Sequence, residues 1–353
     1  MSVGGVWKEI GHLMNGYHIT KLHLEPTQLC QAMCPMCDRV TLDGELNPVI
    51  SGASLSIDDI KLIFPPDFVA QLKNMYMCGN LGDPIFAPDC IEIFKYFRKH
   101  NPKIYMSMNT NGGARKPEWW AEIAKVVNHV TFSIDGLEDT NGVYRQGVVW
   151  YNIMNNVKEF INAGGKAKWD YLVFEHNEHQ VKDAERLSKD MGFTDFRPKT
   201  TNRYDKERPA WQSYLRGKKT EVLRPPTQLQ YQSEVMKNPY TSDERSAFRI
   251  LPKCVVEREI FVSATGHVFP CCWAHTSLVS SQNVSKEERL DMASMVVSPE
   301  NDAKKYGLYA AMSWFSNLQE RWNGDDTPYI CAAKCNTKQD TVELQYVGGK
   351  NTS

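Results

Sequence analysis

Nowhere does the sequence hold an apolar stretch approaching the roughly 20 residues that cross a bilayer. Its start, Met1-Ser2-Val3-Gly4-Gly5, lacks the basic region and apolar run of a secretory signal. These absences lead us to expect a cytoplasmic chain with no membrane partner. Charge of one sign is not in excess: 41 Lys and Arg stand against 42 Asp and Glu, a formal net charge of −1. The overall basic signature of a nucleic-acid binder is therefore missing. There is no internal repeat and no low-complexity tract. With 42% apolar and 24% charged residues among 353, the composition excludes gross disorder, a collagen-like rod and a coiled-coil rod. The length allows two domains, or one large domain with an appendage.

What the sequence does have is cysteine, ten in all. In a reducing compartment, clustered thiols bind metal or do redox chemistry more often than they form disulfides. Cys30, Cys34 and Cys37 form one group, and Cys254, Cys271, Cys272, Cys331 and Cys335 form another. Cys78 and Cys90 stand apart.

Between residues 20 and 201, short strand-like runs alternate with longer segments of helical period, the pattern of repeated β–α units on a parallel sheet. The predicted strands are Lys21–Glu25, Asn74–Cys78, Ile104–Met108, His129–Ile134, Ala167–Phe174 and Phe196–Lys199. Helices are predicted over Ser56–Phe64, Pro88–His100, Pro117–Val127, Trp150–Ala163 and His179–Met191. Pro117 suits a first helical position, while Gly164-Gly165 and Gly192 follow helix ends. From Lys199 to Arg224 the period fades and eight Lys or Arg face three Asp or Glu. That segment reads as a solvated crossover or a surface that steers an acidic substrate. Beyond Cys254, Glu259–Ser263 and Val268–Phe269 read as a hairpin with Gly266 in its turn. The division expected is an extension over 1–19, a barrel over 20–201, a linker over 202–250 and a C-terminal unit over 251–353.

Cys30-x3-Cys34-x2-Cys37 follows the first strand, which places three thiolates in a loop at a strand's C-terminal end, where α/β barrels carry their chemistry. Thiolates suit iron–sulfur clusters or zinc, and three of them leave one metal position open to an outside ligand. Zinc would want a fourth Cys or His at similar spacing, and His23 lies back on the strand itself.

A CxxxCxxC loop after the first strand of six β/α units resembles the radical S-adenosylmethionine (SAM) superfamily. The resemblance spans roughly residues 20 to 200. It implies a partial (β/α)6 TIM-like barrel, and a [4Fe–4S] cluster held by Cys30, Cys34 and Cys37 with SAM on the fourth iron. It also implies reductive cleavage of SAM to a 5′-deoxyadenosyl radical that abstracts hydrogen from substrate, fed by an electron donor such as flavodoxin or ferredoxin. The cofactor carries the hard chemistry and the protein supplies orientation. Gly79-Asn80-Leu81-Gly82-Asp83-Pro84, after the second strand, resembles the superfamily's GGEP motif, with Asn80, one inserted residue and Asp83 in place of Glu. A carboxylate there would still bind the SAM ammonium. Ser107-Met108-Asn109-Thr110-Asn111-Gly112 and Ser133-Ile134-Asp135-Gly136 are similar to the TNG and SxDG signatures of the branch that matures sulfatases and modifies peptides. That likeness implies ribose contacts from Ser107, Asn109 and Ser133, a part for Asp135, and an approach of Arg145 to the SAM carboxylate.

Cys254-x11-Gly266-x4-Cys271 resembles the opening of the SPASM and shorter twitch extensions, and Cys331-x3-Cys335 would complete four ligands. The likeness implies a small C-terminal iron–sulfur domain with one auxiliary cluster; a zinc site of four cysteines is the other reading. Adjacent side chains in extended backbone face opposite ways, and the Gly-x4-Cys spacing favours Cys271 over Cys272. Cys272, Cys78 and Cys90 read as small apolar residues in packing. The functional expectation is a radical SAM enzyme that modifies a peptide or protein side chain. A small-molecule or nucleotide substrate is the second reading, and a non-catalytic iron–sulfur or zinc protein the third.

Overall fold

The computed structural model describes residues 18–201, 203–204, 208–232, 251–282, 284, 286–322 and 327–335. Residues 1–17 of the expected extension over 1–19, and much of the predicted linker, lie outside the described residues. Six strands run in chain order: β1 (Lys21–Leu24), β2 (Asn74–Met77), β3 (Tyr105–Thr110), β4 (His129–Ser133), β5 (Ala167–Leu172) and β6 (Asp195–Lys199). Each pairs in parallel with the next. Between them lie α1 (Ile57–Ile63), α2 (Pro66–Gln71), α3 (Cys90–His100), α4 (Pro117–Ile123), α5 (Asn141–Tyr144), α6 (Trp150–Asn162) and α7 (Val181–Met191). The sequence signals act as expected. Ser56 and Asp59 form a reciprocal capping box on α1, Pro117 opens α4, and Gly192 closes α7 with φ of 88°.

Alternation along the strands separates two chemistries. Leu22, Leu24, Met75, Met77, Met106, Met108, Val130, Phe132 and Trp169 are buried without any exposure, on the face covered by helices. The intervening residues are polar: Lys21, His23, Tyr76, Ser107, Asn109, Thr131, Ser133, Lys168 and Asp170. Several of them are paired by charged residues on nearby strands. Tyr76 donates to Glu259 Oε1 at 2.9 Å, Lys21 pairs with Glu259 at 2.7 Å, and Arg197 pairs with Asp170 at 2.7 Å. A sheet with helices on one face and a polar inner face is the architecture of a partial α/β barrel.

The segment expected as a crossover holds a hairpin, β7 (Trp211–Leu215) and β8 (Lys218–Leu223). Arg216 and Gly217 both take positive φ, 51° and 72°, the twist a two-residue hairpin turn requires. The signal was present as Arg-Gly between two strand-like runs, hidden by the density of charge. Gly44 underlies it, since a Cβ there would meet the Tyr214 carbonyl oxygen at 2.4 Å.

The last part comprises α8 (Lys253–Val256), β9 (Glu259–Val262), β10 (Val268–Phe269), α9 (Cys272–Val279), α10 (Lys286–Val296), α11 (Ala303–Tyr306), α12 (Trp314–Trp322) and α13 (Tyr329–Cys335). The predicted hairpin forms as β9 and β10, but it does not stand apart. β9 pairs in parallel with β1, Lys21 opposite Glu259 and Leu24 opposite Val262, giving one eight-stranded sheet in the order β10-β9-β1-β2-β3-β4-β5-β6. Among the described residues no helix is long and apolar enough to cross a membrane.

Candidate active site

The triad loop leaves the C-terminal end of β1. Cys34 is buried and Cys30 and Cys37 are half-buried. The Cys37 amide donates to the Cys34 carbonyl at 3.0 Å, and the Ala32 amide approaches Cys30 Sγ at 3.4 Å. Burial pushes all three thiols up; Asp83 adds to this at Cys30, and Cys34 adds at Cys37, which rises to about 11. Thiols in such surroundings stay protonated until a metal's positive charge reverses the balance.

The turn after β2 is sewn onto this loop. The Asp83 amide donates to the Leu29 carbonyl at 2.9 Å, and Arg39 Nη1 donates to the Leu81 carbonyl at 2.8 Å. Gly82 allows the approach, because a Cβ there would lie 2.0 Å from the Thr27 carbonyl oxygen. Below it sits Glu25, fully buried, accepting from the Leu81 amide at 2.6 Å. Burial pushes the Glu25 carboxyl up to about 7, against the pull of backbone donors at Leu81, Gly82, Asn80 and Ala264.

Asp83 caps the short helical turn that begins at Pro84, accepting from the Ile85 amide at 3.2 Å. Its other oxygen takes two bonds from Asn111, 2.8 Å from the amide and 2.7 Å from Nδ2. Asn111 Nδ2 is in turn 3.6 Å from Cys30 Sγ, and Asn111 Oδ1 accepts from Gln31 at 2.8 Å. Asp83 therefore acts on the triad loop through Asn111. The Asn80 side chain points elsewhere, onto α9.

At the end of β4, Asp135 is buried and accepts from Arg145 Nε at 2.5 Å and from the Leu172 amide at 2.7 Å. Arg145 Nη1 lies 3.9 Å from Cys34 Sγ. Burial pushes the Asp135 carboxyl up, and Arg145 opposes that shift. Ser107, Asn109 and Ser133 are half-buried on the inner face; burial pushes the Cys78 thiol up, and Asn109 opposes that shift.

The C-terminal cysteines gather from three helices. Cys254 lies in α8, Cys271 caps α9, and Cys331 and Cys335 lie in α13. Burial pushes each thiol up. Cys254 is pushed further by Cys271, Cys335 and Cys331, and Cys271 by Cys331 and Cys335. Trp322 Nε1 donates toward Cys331 Sγ at 3.4 Å. Burial also pushes the Cys272 thiol up, with Cys271, Glu259 and Cys78 adding to the shift and Lys334 opposing it. Cys90 packs 3.9 Å from Met77 in the core. Among the described residues no three His, Cys, Asp or Glu side chains converge closely enough to hold a single ion. The donor sets nevertheless fit metal chemistry. Three and four thiols, each pushed up chiefly by burial, are relieved when a cationic cluster binds their thiolate forms.

Several residues escaped the sequence reading. Asn111 lies inside the TNG-like motif, which gives it no role; Glu25 and Gln31 carry no sequence signal, because their partners are distant in the chain.

A parallel barrel with a three-cysteine loop at the strands' C-terminal end, flanked by an acidic turn and a half-buried arginine, is the frame on which the sequence expectation of a radical SAM domain rests. Residues 24–187 match the model of the Radical SAM superfamily, so this part of the chain is a Radical SAM domain. Among solved structures it is similar to Streptococcus suis SuiB bound to S-adenosylmethionine, at 13% identity and a TM-score of 0.50, over 75% of this chain and 64% of that one. The same protein bound to its precursor peptide SuiA aligns at 13% identity and 0.51, over 90% and 68%. Native anSMEcpe with bound AdoMet aligns at 16% identity and 0.50, over 71% and 74%. The chain thus spans about 64% of the length of the first of these. Among curated proteins, none matches the sequence.

Proposed function

We propose that this chain uses SAM to modify a side chain of a peptide or protein, by oxidation, epimerisation or cross-linking, in the reducing cytoplasm. Cys30, Cys34 and Cys37 would hold a [4Fe–4S] cluster with one iron left for SAM. When bound, cluster and SAM supply the reductive cleavage that makes a 5′-deoxyadenosyl radical, with the electron coming from a flavodoxin- or ferredoxin-type donor.

The observation that carries this reading is Arg145. Asp135 fixes its Nε side, and the other end of the guanidinium is turned to Cys34, where a charged fork suits a carboxylate ligand. On the opposite flank, Asp83 holds Asn111 beside Cys30 and puts negative charge near the place an ammonium would occupy. Gly79, Gly82 and Pro84 shape a turn whose backbone can approach a ligand closely. Ser107, Asn109 and Ser133 offer short polar groups to a ribose. Cys254, Cys271, Cys331 and Cys335 would hold one auxiliary iron–sulfur cluster. A peptide substrate is supported by the order of the TNG-like and SxDG motifs, and by the similarity to a structure that contains a precursor peptide.

The test is to incubate anaerobically reconstituted protein with SAM and dithionite. 5′-Deoxyadenosine and methionine are expected in equal amounts, and a non-catalytic metal protein would yield neither.

A further inference from the structure

Helix α9 is tied to the triad loop at both ends by asparagine amides. At its start, Asn80 Nδ2 donates to the Cys272 carbonyl at 2.9 Å and to His275 Nδ1 at 3.0 Å. At its end, Asn47 Nδ2 donates to the Val279 carbonyl at 2.8 Å and to the Asp38 carbonyl at 2.7 Å. Asp38 follows Cys37 directly, and the Asn80 carbonyl lies 3.9 Å from Cys37 Sγ. Cys37 is therefore held between two residues that each grip the same helix, and that helix is capped by Cys271.

These contacts are built to transmit position. The Val279 carbonyl belongs to the last turn of α9, where carbonyls have no partner inside the helix, and Asn47, 2% exposed, supplies one. His275, the acceptor for Asn80, is fixed between Phe261 and Phe269 at 5.0 and 5.1 Å. Buried amide bonds are directional and costly to leave unmade, so α9 cannot shift without moving the Cys37 end of the loop.

We propose that Asn47 and Asn80 are positioning residues that couple the two cysteine sites: metal at Cys254, Cys271, Cys331 and Cys335 fixes α9, and α9 fixes the Cys37 end of the triad loop in its SAM-binding geometry. This rests on the reading of both groups as metal centres. No electron or atom need pass; the link is a coupling free energy, and it is reciprocal.

The experiment is a cycle of SAM dissociation constants on the anaerobically reconstituted full chain, comparing wild type, Cys271→Ala, Asn80→Ala and the double variant. Cys271→Ala should weaken SAM binding by roughly 5–150-fold, the usual span of such couplings. In the Asn80→Ala background the same change should cost clearly less. A merely structural amide would leave the Cys271→Ala factor equal in both backgrounds, and that result, or an unchanged SAM affinity in Cys271→Ala, overturns the proposal. Asn47 is tested without substituting it: amide hydrogen exchange over residues 38–47 should quicken in Cys271→Ala relative to wild type, and equal exchange counts against its part. Failure of wild-type protein to bind SAM at all would strike the proposed function instead, whereas normal SAM binding with independent sites strikes only the coupling.

Discussion

Arg145 Nε sits 2.5 Å from Asp135 Oδ2, ten residues away in the chain, while Arg145 Nη1 reaches to 3.9 Å from Cys34 Sγ. The carboxylate is 1% exposed and the guanidinium 20%. Asp135 is thus the residue that aims Arg145, and the two should fail together. Arg145→Ala is expected to weaken SAM binding by about 1.5–3 kcal/mol, the worth of a charge-assisted contact, with cluster content retained. Asp135→Ala should lower SAM affinity in the same direction and also destabilise the fold, since it leaves a largely buried cation unpaired. SAM titration into both reduced variants checks this; wild-type affinity in Arg145→Ala would remove the arginine from the site.

Alanine at Cys30, Cys34 or Cys37 is expected to abolish formation of 5′-deoxyadenosine while metal stays bound at the C-terminal site. Three local thiolates leave one iron open, and losing any one of them disrupts that arrangement. Iron and sulfide analysis of the triple variant should show about half the wild-type content if two four-iron clusters are present. Undiminished SAM cleavage would contradict the assignment.

Cys271 and Cys272 should separate cleanly. The Cys271 thiol is raised by Cys331 and Cys335, whereas the Cys272 thiol is raised by Cys271, Glu259 and Cys78, with neither Cys331 nor Cys335 among its leading influences. Cys271→Ala is expected to lose the C-terminal share of metal and Cys272→Ala to keep it, measured on the monodisperse fraction because metal loss can also reduce solubility. The reverse pattern would move the ligand by one residue, and zinc in place of iron would change the site's chemistry from redox to structural.

Glu25 gives a pH signature. Burial raises its carboxyl from 4.5 to about 7, so between those values the folded chain keeps a proton that the unfolded chain has lost. Stability contributed by this group is therefore fully present below about pH 4.5 and is lost as pH rises through about 7. Glu25→Gln removes the titration. The variant's stability relative to wild type should improve from pH 5 to pH 8 by on the order of 3 kcal/mol, read from urea midpoints. A difference that stays constant with pH would mean that Glu25 titrates normally.

Much of the fold is legible in the sequence because it is written in local signals. Strand and helix periods, Ser56 before an acidic turn, Pro117 and Gly192 all act within a few residues, and the structure places six parallel strands where those signals put them. The cysteine spacing, too, is local: Cys30, Cys34 and Cys37 share one short loop, so three thiolates at a strand end follow from the chain alone. What the sequence could not show is any relationship between distant segments. That β9 lies beside β1 depends on a parallel edge free to accept it, and that the Cys272 thiol feels Cys78 of the barrel as well as Cys271 depends on how α9 leaves the sheet. Glu25, Asn47 and Asn80 look ordinary as residues, and each acquires its role only from a backbone group brought near by folding: Leu81 for Glu25, Val279 for Asn47 and Cys272 for Asn80. A side-chain amide or carboxyl carries no periodic signal, so its partner is decided by tertiary packing, whereas strands, helices and thiolate spacing are decided by the chain's local geometry.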